Sequence, residues 1–162
     1  MVSFPYEKEV KVYCRKIAGI LRPKSIVLFG SMARGNYGVG SDVDILVISD
    51  NFPSSFLQRL RLLFDANPTF APIQAVGYTP AEFLKMIQRR HPTALYAVAE
   101  GKPLLDDGFF EEAKQVFERV KRDFQLVPTD HGWEKFFLQT ALDFHPFIDE
   151  FLVPFLECFR RD

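Results

Sequence analysis

Two short apolar runs constrain this chain more than anything else in it. Ser25–Phe29 reads SIVLF and Asp42–Ile48 reads DVDILVI. A strand with one wet face alternates apolar and polar residues, whereas a β-branched run that stays apolar is covered on both faces. Both segments therefore read as buried strands. Around them the periodicity is helical. Val10, Tyr13, Cys14, Ile17, Ile20 and Leu21 predict one helix face over 5–21, stopped by Arg22-Pro23-Lys24. Ser54 or Ser55 caps a helix to about Phe64, and Pro72–Tyr78 is a third strand. Thr79-Pro80-Ala81-Glu82 is a capping-box start with Pro at the first helical position, for a helix reaching about Arg90. A further helix starts at Pro92 and ends before Gly101, read as a glycine closing the helix. Pro103–Leu105 forms a minor strand closed by Asp106-Asp107-Gly108, and helices are expected at about 109–124, 130–145 and 146–159. The fold class is α/β (α+β), an alternating front half followed by a helical C-terminal tail.

Composition removes several function classes. At 162 residues, 48% hydrophobic and 25% charged, the chain is the size of one folded domain and is not disordered. A net charge of −1 gives no general attraction to a polyanion, so no long nucleic acid is expected as partner. Yet residues 1–81 carry nine Lys and Arg against six acids, and residues 82–162 carry 11 against 15. Two of the six front-half acids are Asp42 and Asp44, so a basic surround encloses a small acidic centre. No CxxC pair exists and the three His are scattered, which excludes a Cys/His zinc site. Cys14 and Cys158 are expected as reduced, half-buried thiols, with a disulfide between them left open. Neither a signal peptide nor an 18-residue apolar run is present, so a cytoplasmic protein with no membrane span is expected.

The segment that carries chemistry is Gly30-Ser31-Met32-Ala33-Arg34-Gly35, followed after five residues by Ser41-Asp42-Val43-Asp44. It begins where the first buried strand ends, with a helix expected from Ser31 or Met32. Gly30 permits a tight turn and a close backbone approach. Ser31 offers a hydroxyl at a helix start, where free N–H groups and the dipole favour a phosphate. Asp42 and Asp44, two residues apart on a strand, share one face with Cα atoms about 6.6 Å apart. Val43 and Ile45 then face the core. Two carboxylates about 4 Å apart repel by roughly 4 kcal/mol at an effective dielectric of 20. Such a pair calls for a cation, and oxygen ligands with open positions suit Mg²⁺.

With these residues in place the sequence resembles the nucleotidyltransferase superfamily that includes DNA polymerase beta. GSMARG…SDVDILV is similar to that superfamily's GSxARG…SDxDxxV signature, most closely in the small prokaryotic minimal nucleotidyltransferases, among them the antitoxins of the MntA type. Looser similarity runs on through GYTPAEF, RRHPTALYAVAEG and the LLDDG turn, over residues 5–120 or so. The resemblance implies a small mixed sheet flanked by helices that binds ATP with Mg²⁺ and transfers AMP to a hydroxyl. By position, Gly30 and Ser31 would bind the β- and γ-phosphates, Asp42 and Asp44 would hold the metals, and Arg34, Gly35 and Ser41 would support the phosphate loop. The family's third carboxylate belongs on the Pro72–Tyr78 strand, where this chain has Gln74. Asp65 and Glu82 lie near in sequence, but neither sits mid-strand. Gln74 is neutral and cannot take a proton, so the alternative to an active transferase is a degenerate one that only binds nucleotide or a partner.

Several other residues carry two readings. Lys85, Arg89 and Arg90 are a solvated helix face or reach a triphosphate. His91 caps a helix, His131 and His145 are structural, and Tyr37 stacks on a base or accepts a modification. The densest aromatic cluster lies in the tail, where Phe136, Phe137, Phe144, Phe147, Phe151, Phe155 and Phe159 recur mostly every three or four residues. Residues 1–125 are expected as the nucleotidyltransferase-like domain and 126–162 as a tail that packs on it or on a partner. That partner would be a HEPN-type helical protein, as the resemblance implies for toxin–antitoxin pairs, or a second copy in a homodimer.

Overall fold

In a computed structural model, which describes residues 4–127, the front half has the expected alternation. Helix α1 spans Glu7–Leu21, strand β1 Ser25–Phe29, helix α2 Gly30–Arg34 and strand β2 Val43–Ile48. Helix α3 spans Phe56–Asp65, strand β3 Ile73–Tyr78, helix α4 Pro80–Gln88 and helix α5 Pro92–Glu100. Strand β4, Lys102–Asp106, and helix α6, Phe109–Asp123, complete one compact unit that closes at Asp123. The sheet order is β3-β2-β1-β4. β1 runs antiparallel to β2 and β4, while β2 and β3 are parallel, so the sheet is mixed. No helix among the described residues is long and apolar enough to cross a membrane. The helices expected at 130–145 and 146–159, the aromatic stripe, His131, His145 and Cys158 all lie outside the described residues.

The central pair of strands is buried as its composition requires. Ile26, Val27, Ile45, Leu46 and Val47 are all 0% exposed, so both faces are covered. Burying such side chains is worth about 1.5–3 kcal/mol each. On α1 the buried stripe is Val10, Tyr13, Ile17 and Leu21. Cys14 is half-buried as a free thiol, and burial raises its pKa to about 11. Ile20 corrects the expected face, for it is 49% exposed and lies outside the buried stripe although only three residues from Ile17.

The helix starts behave unequally. At α4 the capping box forms in full, with Thr79 Oγ1 accepting from the Glu82 amide and Glu82 Oε2 accepting from the Thr79 amide. Ser55 precedes α3 and His91 precedes α5, but neither side chain caps. Gly101 differs from its expected role. Its φ of −67° and ψ of 148° are extended rather than left-handed. A side chain there would collide with the Ala97 carbonyl and Val27, so glycine is demanded by close packing of α5 on β1.

Candidate active site

The end of β1, the start of β2 and the start of β3 meet at one end of the sheet. In register, Asp44 stands opposite Phe29 on one side and Gln74 on the other. This follows from the chain path: β1 delivers Gly30, the loop returns, and β2 begins with Asp42 just before it and Asp44 as its second residue. Val43 and Ile45 are buried at 0% exposure, which turns Asp42 and Asp44 toward the opposite, half-exposed face.

Gly30 opens α2 at φ +70°, and a Cβ on it would run into the Asp44 carboxylate. Its two demands, a left-handed backbone and contact with Asp44, are met by no other residue. The helix it opens has only five residues, Gly30–Arg34, shorter than a phosphate-binding helix with a developed dipole. A phosphate here would rest on the turn's own donors and the half-exposed Ser31, with little help from the dipole. Gly35 ends α2 at φ +79° and donates to the Ser31 carbonyl at 3.0 Å. Further along the loop, the Ser41 hydroxyl accepts from the Gly38 amide at 2.9 Å and the Ser41 amide donates to the Gly38 carbonyl at 3.2 Å. Gly35 and Ser41 thus each close a local turn in this loop.

Asp44 is pushed above the usual carboxylate range, chiefly by burial and then by the charge of Asp42, with Arg34 opposing. The two acids are therefore an unbalanced pair, short of positive charge. The Gln74 amide donates to Asp42 Oδ2 at 2.5 Å. A carboxylate only accepts, which fixes the amide nitrogen toward it. Gln74 thus sits beside the acids and props one of the two. No group of three or more His, Cys, Asp or Glu among the described residues can hold a metal. The donors present suit an oxygen-preferring ion that keeps open positions for substrate and water, as Mg²⁺ does, and do not suit an all-protein cage.

One participant escaped the sequence reading. Arg34 Nη1 pairs with Glu100 Oε2 at 2.9 Å, and Arg34 Nε bonds Asn36 Oδ1 at 3.3 Å. Glu100, 66 positions away and at the end of α5, thereby orients the motif arginine. Its signal was present in the AVAEG segment but carried no chemistry on its own. Other candidates lie away from the site. Tyr37 packs against the core cluster, which limits its ring as a base platform. Lys85 and Arg89 line a cavity beside Tyr78, at the far end of β3. Asp65 pairs with Arg61, and Glu82 pairs with Arg59.

The family model for the nucleotidyltransferase domain matches residues 8–148. The chain belongs to the nucleotidyltransferase family. A Methanocaldococcus jannaschii protein named as a protein adenylyltransferase is 27% identical over 118 residues, covering 68% of this chain and 79% of that protein. Among solved structures, a nucleotidyltransferase from Sulfolobus solfataricus is 19% identical with a TM-score of 0.46, covering 62% of this chain and 79% of its own. A toxin–antitoxin complex with AMP-PNP matches at 19% identity and a TM-score of 0.45, covering 72% and 92%. An MNT antitoxin from Shewanella oneidensis, in complex with a tri-AMPylated HEPN toxin, matches at 18% identity and a TM-score of 0.39, covering 71% and 92%. Membership of the family is what the sequence motif implied, and the sheet is mixed and helix-flanked as the resemblance led one to expect.

Proposed function

We propose that this nucleotidyltransferase moves AMP from ATP to a hydroxyl, with Mg²⁺ held by Asp42 and Asp44. The observation that carries the reading is the pairing of Gly30 with Asp44, which sets a phosphate turn against two acids short of positive charge. A cation held by Asp42 and Asp44 would supply charge stabilisation for the leaving pyrophosphate. In the transfer itself, the acceptor oxygen bonds to the α-phosphorus, the bond to the bridging oxygen breaks, and pyrophosphate departs. Gly30 and Ser31 bind the β- and γ-phosphates. Arg34, aimed by Glu100, supports the turn, and Gly35 and Ser41 hold its shape. Gln74 takes no proton, so the proton of the acceptor hydroxyl passes to water or to a base that arrives with the acceptor. Residues 1–125 form the transfer unit on this reading, and 126–162 serve a partner. That the relatives include a named protein adenylyltransferase and an antitoxin beside an AMPylated HEPN toxin supports a protein hydroxyl as acceptor and a HEPN-type helical protein as partner.

One observation favours the second reading, a degenerate member that binds nucleotide or partner without transfer: Gln74 is already bonded to Asp42. The test of the first is label from α-labelled ATP in protein, with the wild type beside the Asp42→Asn, Asp44→Asn double variant. Wild-type protein labels its acceptor and the double variant does not. Labelling that survives both substitutions removes these acids from the chemistry, and an unlabelled wild type leaves the binding module.

A further inference from the structure

At the far end of β3, a second set of residues has no role in the transfer. Tyr78 ends the strand four residues after Gln74, about 13 Å away along it. Phe56, the first residue of α3, lies against the Tyr78 ring with centroids 5.9 Å apart and planes tilted by 30°. Phe56 nevertheless stays 45% exposed. Together with Lys85 and Met86 of α4 and Arg89 just after it, these rings line an open hollow of about 300 Å³, near the lower size of small-molecule sites.

The charges around it do not balance. Arg59, 5% exposed, reaches the cavity but is fully engaged. Its guanidinium donates twice to Glu82 and also to the carbonyls of Pro53 and Ser54. Glu82, the cavity's one acid, is thereby neutralised. Lys85 and Arg89 remain, exposed and one helical turn apart on the same face. Neither forms an ion pair or side-chain hydrogen bond among the described residues. Like charges at this spacing repel and are relieved by an anion between them. Inorganic phosphate alone would leave the rings uncovered, and a neutral aromatic would leave the cations unpaired. An anion carried on a flat ring satisfies both, because bases stack on aromatic side chains regardless of identity.

We propose that this cup is a second nucleotide site, separate from the transfer centre, which takes a nucleoside monophosphate with its base on Phe56 and Tyr78 and its phosphate between Lys85 and Arg89. The chain contains three methionines, and two of them report on the two ends of the sheet. Met86 lines the cup, whereas Met32, 1% exposed, lies in α2 beside the transfer centre. With methyl-labelled methionine in the full chain and EDTA present, AMP is titrated and both methyls are followed by NMR. The Met86 methyl shifts and saturates. The response persists in Asp42→Asn, Asp44→Asn protein, and it weakens about tenfold or more in Lys85→Gln, Arg89→Gln protein, whose undisturbed Met32 methyl reports an intact fold. Adenosine and inorganic phosphate, tested separately, each bind more weakly than AMP by a similar factor. Phe56→Ala, also at an exposed position, weakens AMP without affecting phosphate. A Met86 methyl unmoved by AMP, a response indifferent to Lys85 and Arg89, or equal responses to adenosine and AMP would each overturn the proposal.

Discussion

Replacing Gln74 by glutamate tests how the site is charged. In the wild type the Gln74 amide bonds Asp42 Oδ2 at 2.5 Å. Gln74→Glu keeps the shape, removes that bond and sets a third negative charge beside Asp42 and Asp44. If the new carboxylate withdraws to about 4 Å from Asp42, the repulsion is roughly 1 kcal/mol in water and 4 kcal/mol at an effective dielectric of 20. Gln74 is exposed and Asp42 half-buried, which places the cost near the lower figure, at about 1–2 kcal/mol. Loss of the hydrogen bond adds about 1 kcal/mol. In EDTA the variant should therefore melt roughly 5–10 °C below wild type, at about 3 °C per kcal/mol for a chain of this size. Adding Mg²⁺ reverses the order of response, because three acids bind the ion more tightly than two and a ligand of the native state stabilises it. Thermal melts of wild type, Gln74→Glu and Gln74→Ala, with EDTA and with millimolar Mg²⁺, separate the terms. Gln74→Ala loses the bond alone and gains from the metal only what the two remaining acids supply. Equal melting of wild type and Gln74→Glu in EDTA would refute the placement of Gln74 among the acids.

Other consequences follow from single contacts. The Arg59 hydrogen bond holds Glu82 at a pKa of about 2, down from 4.5, against a smaller opposing effect of burial. A depressed carboxylate stabilises above its unfolded pKa, so this contribution is complete above pH 5 and lost as pH falls from about 4.5 through 2. Because the Glu82 side chain is 44% exposed, solvent screening cuts the face value of about 3 kcal/mol to about 1 kcal/mol. In acid titrations of stability, Glu82→Gln should flatten this limb, and an unchanged limb would discount the pair. Gly101→Ala should cost about 2–3 kcal/mol in urea unfolding, since its backbone is ordinary and only the collision with Ala97 and Val27 opposes a side chain. A cost near zero would show that α5 can move away. Glu100→Gln should leave stability within about 1 kcal/mol, as the pair is exposed, while lowering the transfer rate through a misplaced Arg34; an unchanged rate would make Glu100 structural.

The elements near the site were legible because each rests on local chemistry. The runs at β1 and β2 have no other way to bury themselves, and Thr79 and Glu82 cap one another within three residues. The acids share a face by strand geometry alone, and the register that brings Gln74 beside Asp42 follows from β3 running parallel to β2. Distant partners left no such trace. Nothing around Glu100 announces a bond to Arg34, since an exposed acid near a helix end is common. Gly101 shows the same limit: its position fits a helix-closing glycine, while the reason for it lies in Val27 on another strand. Ile20 satisfies the periodicity of α1 but meets no neighbour that would bury it.

Which phosphate of ATP is transferred distinguishes nucleotidyl transfer from every other use of this site. Parallel reactions with α-labelled and γ-labelled ATP, with Mg²⁺ and a protein extract from the source organism, decide it. Nucleotidyl transfer at Asp42 and Asp44 places the α-label in protein and leaves the γ-label in pyrophosphate. A γ-label found in protein, or an α-label recovered only in free nucleotide, would contradict the assignment.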